Sequence, residues 1–188
     1  MIRLATLCSR NAHKAHELEA LMPGWEIVPL DADDYPPEDG ETYVDNARIK
    51  ARFGHDRAGG WTIGEDSGIE VAALGGRPGV LSARYAPEGL PAIEKLLDEL
   101  GGETDRRARY VSELVAIAPD GTEHRGTGIL EGSIADAPRG TGGFGYDPVF
   151  VPDGESLTVG ELGAPWKQEH SHRSRAVRAL LAALSATS

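Results

Sequence analysis

Apolar residues along this chain fall into short runs and helical stripes that alternate. Residues 2–7, "IRLATL", form a run of strand length that breaks at the polar "CSRN". Beyond it Ala15, Leu18, Leu21 and Met22 recur at near-helical spacing until Pro23-Gly24 stops the stripe. Strand, polar turn and helix in that order open an α/β unit. Residues 31–45, "DADDYPPEDGETYVD", carry acids, a proline pair and no Lys or Arg, and predict a surface loop. Thr42, with Asp45 three residues on, makes a shortened capping box and opens a helix through "NARIKARFGHDRAGG".

The short run Trp61 to Ile63 predicts a strand with Glu65 and Asp66 at its end, followed by the turn "GGRPG" at 75–79. Ile93, Leu96, Leu97 and Leu100 share one face of an amphipathic helix within 91–102. "RYVSELVAIAPDGTEHRGTGILEG" reads as two strands joined by a "PDG" hairpin turn. The glycine-dense loop 137–154 runs into a short strand, and Val177, Leu180, Leu181 and Leu184 make a packed closing helix. Helices alternate with strands and hairpins, so the expected fold is α/β: a mixed central β-sheet flanked by helices, one domain over residues 1–188.

Composition narrows the function classes. A chain of 188 residues fits one domain, or one domain with two lobes. Its apolar stretches are too short for a membrane helix, and "MIRLATLCSR" lacks the layout of a signal peptide. The single cysteine, Cys8, excludes an internal disulfide framework and fits a reducing cytoplasm. A net charge of −11, from 30 acidic against 19 basic side chains, argues against a duplex nucleic-acid partner. It leaves room for a small anionic ligand held by a few well-placed cations.

Those cations stand in unusual places. Arg10, Asn11 and Lys14 begin the first predicted helix, and His172, Arg173 and Arg175 begin the last. A helix N-terminus favours anions, so a cation there runs against the dipole by about 0.3–1 kcal/mol unless an anion joins it. Solvated basic side chains explain either helix alone; an anionic ligand explains both. "SRNAHK" lacks P-loop spacing, so phosphate binding here would use the turn, the Ser9 hydroxyl and the Lys14 ammonium. Glu65-Asp66 and the acidic loop offer oxygen ligands for Mg²⁺, which takes one or two carboxylates and shares its other positions with water and phosphate. The competing reading is an Asx turn, with Asp66 accepting from backbone N–H groups ahead of Gly68. In "GTGGFGYDPVF" the faces of Phe144 and Tyr146 could stack on a base, or Phe144 could tuck into the core beneath an Asp147-Pro148 cap. Taken together, the residues describe a magnesium-nucleotide site.

At these same residues the chain resembles the inosine triphosphate pyrophosphatases. The matching segments are "SRNAHKAHEL", "ETYVDNARIKA", "EDSGIEVAALGGRPGVLSARYA", "APRGTGGFGYDPVFVPDG" and "KQEHSHRSRA", in the family's order across residues 9–176. The resemblance implies a mixed sheet with two lobes and a cleft, usually as a homodimer. It also implies Mg²⁺-assisted hydrolysis of ITP, dITP or XTP to the monophosphate and pyrophosphate. By motif, Ser9, Arg10, Asn11, Ala12, His13 and Lys14 would bind the triphosphate. Asp66 would be the catalytic carboxylate and, with Glu38, a metal ligand; Ser67 would contact substrate. Phe144, Gly145, Tyr146 and Asp147 would form the base-side loop. Lys167, His172 and Arg173 would close on the nucleotide, the last two reading the 6-keto edge. The chain departs from the family pattern in four places: Ser9-Arg10-Asn11 replaces Thr-Gly-Asn, Glu65 replaces the first Asp of an Asp-Asp pair, Asp45 replaces Glu, and the segment between Tyr85 and the helix at 91 is abbreviated. A nucleotide-binding regulatory module, or a pyrophosphatase for modified pyrimidine nucleotides, would use the same parts.

Overall fold

The computed structural model describes residues 2–9, 11–86 and 92–186. Arg10 and residues 87–91, most of the segment abbreviated relative to the family, lie outside the described residues. Six strands form one mixed sheet: β1 Arg3–Leu7, β2 Trp25–Pro29, β3 Trp61–Val71, β4 Arg107–Ile117, β5 Glu123–Ile134 and β6 Phe150–Pro152, in the order β2-β1-β3-β4-β5-β6. β1 pairs parallel with β2 and β3, whereas β5 and β6 are antiparallel. The helices are α1 Ala12–Leu21, α2 Tyr43–Ala58, α3 Ala92–Leu100, α4 Val159–His170 and α5 His172–Ala186. Among the described residues no helix is long and apolar enough to cross a membrane.

The chain divides into two compact units. The first comprises Met1–Asp66, Ser112–Gly128 and His172–Ser188. Its cores follow from strand alternation, which sends successive side chains to opposite faces. Leu114 and Ala116 of β4 and Ile63 of β3 pack with Leu18 of α1, Met22 just after it, and Val177, Leu180 and Leu184 of α5. Val115 and Ile117, the alternate β4 residues, meet Ala47 and Ala51 of α2. β4 is therefore buried on both faces, which is why "LVAI" reads as a continuous apolar run.

The second unit comprises Ser67–Val111 and Ile129–Ser171. Its core gathers Ile69 and Val71 of β3, Tyr110 of β4 and Leu130 and Ile134 of β5. Leu96 and Leu100 from α3, with Tyr146, Val149 and Phe150, complete it. Ser82 fixes the turn after β3, accepting from the Ile69 N–H at 2.9 Å and donating to the Gly79 carbonyl at 2.6 Å.

Most predicted elements form where the apolar pattern put them, and three differ. β2 was not expected: "WEIVP" has one buried residue, Ile27, and pairs along one edge only with β1, so it carries no apolar alternation. α4 was not expected either, because Gly163 (φ 78°) and Pro165 interrupt it and its apolar residues lack a stripe. It starts at a full capping box, Thr158 with Glu161. β3 runs on to Val71, so Glu65 and Asp66 sit inside the strand and not at its end. Thr42 caps α2 as expected, its hydroxyl oxygen accepting from the Asp45 N–H at 3.2 Å and donating to the Asp45 carboxylate at 2.6 Å.

Candidate active site

Alternation along β3 separates its two acids. Ile63 and Glu65 face α1 and α5, while Thr62, Gly64 and Asp66 face α2. Asp66 Oδ1 accepts from the Lys50 ammonium at 2.9 Å, and its Oδ2 accepts from Asn46 Nδ2 at 3.2 Å. Asn46 and Lys50, four residues apart, share one face of α2. The Asn46 side-chain oxygen accepts the Gly40 N–H at 2.8 Å, which ties the acidic loop to the same helix. Lys50 also reaches Glu38 Oε1 at 2.6 Å, so two carboxylates converge on one ammonium. The partners of Asp66 are thus side chains of α2, which sets aside the Asx-turn alternative.

Glu65 is fully buried on the other face. Lys14 of α1 lies 2.5 Å from its Oε2, an ion pair set off the direction of a hydrogen bond. Arg173 Nη2 and the Ser112 hydroxyl both donate to its Oε1 at 3.1 Å. Arg173 Nη1 pairs with Glu17, three residues after Lys14 on α1. Two of the cations that oppose the helix dipoles, Lys14 and Arg173, therefore share a buried carboxylate partner, Glu65, inside the protein. His172 is buried beside Arg173 at the start of α5, and Arg175 is exposed.

The two acids titrate in opposite directions. Burial raises the Asp66 carboxyl above its ordinary value, and Lys50 offsets that only in part. Burial also pushes Glu65 upward, but Lys14 and Arg173 outweigh it and hold the group well below the carboxylate range. Asp66 is the better proton acceptor of the pair, and Glu65 a fixed anion.

The turn between β1 and α1 is built locally. Ser9 Oγ accepts the Asn11 N–H at 3.1 Å, and the Asn11 side-chain oxygen lies 3.4 Å from the Lys14 N–H in the helix-capping position. Ala12 and His13 form the first turn of α1. Cys8, at the start of this turn, is buried, and burial pushes its thiol up to about 11. The native protein should therefore resist a thiol reagent such as DTNB at pH 8 and react stoichiometrically once unfolded in guanidinium. Rapid labelling of the folded chain would contradict that environment.

The remaining predicted residues belong to the second unit. Asp147 accepts from Lys167 Nζ at 2.9 Å, the Phe144 N–H at 2.9 Å and the Tyr110 hydroxyl at 3.2 Å. Lys167 sits over the Phe144 ring, 4.6 Å from its centroid. Tyr146 is buried in the core and donates its hydroxyl to the Ser82 carbonyl at 3.0 Å, so of the two rings it is Tyr146 that is tucked in. Gly145 is exposed with φ 61°, and Ser67 is half-buried. The fold thus gathers Lys14 with Arg173, Asp66 with Glu38, and Phe144 with Asp147 and Lys167.

Sequence reasoning missed Asn46, Lys50, Glu17 and Ser112. Asn46 and Lys50 were within reach: polar residues at helical spacing beside Ala47 and Ala51 stand on a face that must be buried. Glu17 and Ser112 join only through tertiary contact.

Solved structures share this architecture. The Staphylococcus aureus Ham1 protein superposes with a TM-score of 0.88 at 35% identity, over 99% of this chain and all of that one. The Ham1 family model matches residues 5–183. A dITP/XTP pyrophosphatase of Deinococcus radiodurans is 45% identical over 97% of this chain and 93% of its own length. One from Gloeobacter violaceus is 41% identical over 98% and 96%. The chain belongs to the Ham1 family.

Proposed function

We propose that this protein hydrolyses the aberrant purine nucleoside triphosphates dITP, XTP and ITP to the monophosphate and pyrophosphate. The observation that carries the reading is the division of labour on β3: a basic carboxylate, Asp66, directly follows a fixed anion that gathers Lys14 and Arg173. The full-length likeness to proteins named dITP/XTP pyrophosphatase supports the substrate class.

In this mechanism the Asp66 carboxylate takes a proton from a water whose oxygen bonds to the α-phosphorus. The bond from that phosphorus to its bridging oxygen breaks, and pyrophosphate leaves. Lys14 and the N-terminus of α1 hold the charge that develops on the triphosphate. Lys50 orients Asp66, and Asn46 steadies its second oxygen.

Glu38 and Asp66 are the residues that would hold Mg²⁺. Both carboxylates reach the same Lys50 ammonium and so lie within reach of one cation, which fits that ion, since it draws its remaining ligands from water and phosphate. Among the described residues no group of three or more His, Cys, Asp or Glu side chains gathers into a protein-only cage. When bound, the ion would neutralise triphosphate oxygens. His172 and Arg173 are the donors for the purine 6-oxygen; a guanidinium has five N–H groups, enough to keep both acids and offer another. ATP presents an amino donor at that position, leaving donor against donor. The base-side loop is assigned to Phe144 through Asp147. A cytoplasmic homodimer completes this reading.

Pyrophosphate release from dITP, XTP, ITP, GTP and ATP tests it. The 6-oxo aberrant purines should turn over at least ~100-fold faster than ATP. EDTA should stop the reaction and added Mg²⁺ restore it. Binding without release would make the protein a nucleotide-binding module, and equal rates on all five would remove the base reading.

A further inference from the structure

Glu65 is the most enclosed acid of the site and has no part in the proposed proton transfer. Its side chain is fully buried, yet it contacts residues from three elements: Lys14 on α1, Arg173 on α5 and Ser112 on β4. Among the described residues, none of these hydrogen-bonding or ion-pair partners is shared with Asp66, which faces Asn46 and Lys50 on α2. Strand alternation keeps the two carboxylates on opposite faces, so one cannot substitute for the other.

The contacts form a chain of alternating charge. Lys14 meets Glu65, Glu65 meets Arg173, and Arg173 meets Glu17, which stands three residues after Lys14 on α1. Without Glu65, the cations of two helix starts would lose the buried carboxylate they share, and Arg173 would keep the more exposed Glu17. The Lys14 side chain keeps 14% of its surface in solvent while Glu65 keeps none. An ammonium has three donors, so Lys14 can hold Glu65 behind it and still meet a phosphate oxygen in front.

We propose that Glu65 is a positioning residue: it orients Lys14 and Arg173 toward the nucleotide and exchanges no proton with it. This rests on the reaction proposed above. A group acting through another has a signature that a merely structural one lacks, because its effect disappears when the other is removed.

The test is a double-mutant cycle on pyrophosphate release from dITP. Glu65→Gln keeps the shape and removes the charge, and should lower kcat/KM by roughly 30-fold, within the range of a misplaced catalytic group. Glu65→Asp restores the charge and should recover part of the loss; it also serves if the Gln variant does not fold. In a Lys14→Ala background Glu65→Gln should cost less than ~3-fold more. Unchanged kcat/KM in a folded Gln variant with a lower melting temperature would make Glu65 structural only. A full loss that multiplies with Lys14→Ala would place it in the chemistry. Either overturns the proposal. A wild-type chain that released no pyrophosphate would fail the reaction instead. Coupling between Glu65 and Lys14 is then read from dITP binding by calorimetry, where independent effects also overturn it.

Discussion

Asp66→Asn should lower pyrophosphate release by on the order of 10³-fold and leave the melting temperature unchanged or higher. The stability half of this result follows from the direction in which Asp66 titrates. Its folded-state carboxyl is raised above the ordinary 3.8, chiefly by burial and only partly offset by Lys50. A group raised on folding contributes stability below its unfolded value and loses that contribution as pH climbs through the folded one. At neutral pH the ionised Asp66 is therefore a net liability to the fold, and a neutral isostere relieves it. The catalytic half has the opposite sign, because only the ionised form accepts a proton. The acid limb of kcat/KM in the wild type should accordingly lie above the ordinary aspartate range, and Lys50→Met should move it higher still. An Asp66→Asn variant that melted early, or one that kept its turnover, would refute the assignment.

Glu65, one residue earlier, should behave as the mirror image. Its carboxyl is held below the ordinary 4.5 against burial by Lys14 and Arg173. A depressed acid contributes stability above its unfolded value and loses it as pH falls through the folded one. Glu65→Gln should thus cost about 3 kcal/mol at neutral pH, the scale of a buried ion pair broken on one side. Neighbouring carboxylates pushed apart by their surroundings mark which acid does chemistry and which provides a fixed field.

That contrast shows how far the sequence could be read. The pair Glu65-Asp66, the cations at two helix starts and the strand-turn-helix beginning were all legible, because each is a local pattern. The alternation of "WTIGED" even dictates that the two acids face opposite ways. It does not say which face carries which cations, since Lys14, Lys50 and Arg173 arrive from helices distant in the chain. The expected strand ended at the acids because two charges inside a strand look unfavourable until their partners are known. β2 and α4 escaped for related reasons: one is a five-residue edge strand with a single buried residue, the other a helix broken by Gly163 and Pro165. Tyr146 shows the same limit, its burial being decided by contacts with Ser82 that spacing does not reveal.

Gly64→Ala should destabilise the protein by about 3 kcal/mol, the upper end for overpacking, and lower its melting temperature by roughly 6–12 °C. Gly64 lies between Ile63 and Glu65, on the face of β3 that meets α2. A Cβ there would stand 2.0 Å from the Ala47 carbonyl oxygen and 2.6 Å from the Ala51 N–H nitrogen. These are backbone atoms of a helix, so no rotamer change can make room and α2 itself must move. α2 carries Asn46 and Lys50, the two residues that hold Asp66. The substitution should therefore lower turnover as well, on the order of 10²-fold, although Gly64 touches neither nucleotide nor Asp66. Gly102→Ala is the control: an added methyl there meets no atom within 4 Å, and stability should hold within about 0.5 kcal/mol. If Gly64→Ala melts with the wild type, or loses stability while keeping full turnover, then α2 does not set the geometry of Asp66. Loss of both together, with Gly102→Ala unaffected, would trace catalytic alignment to the closeness of one helix to one strand.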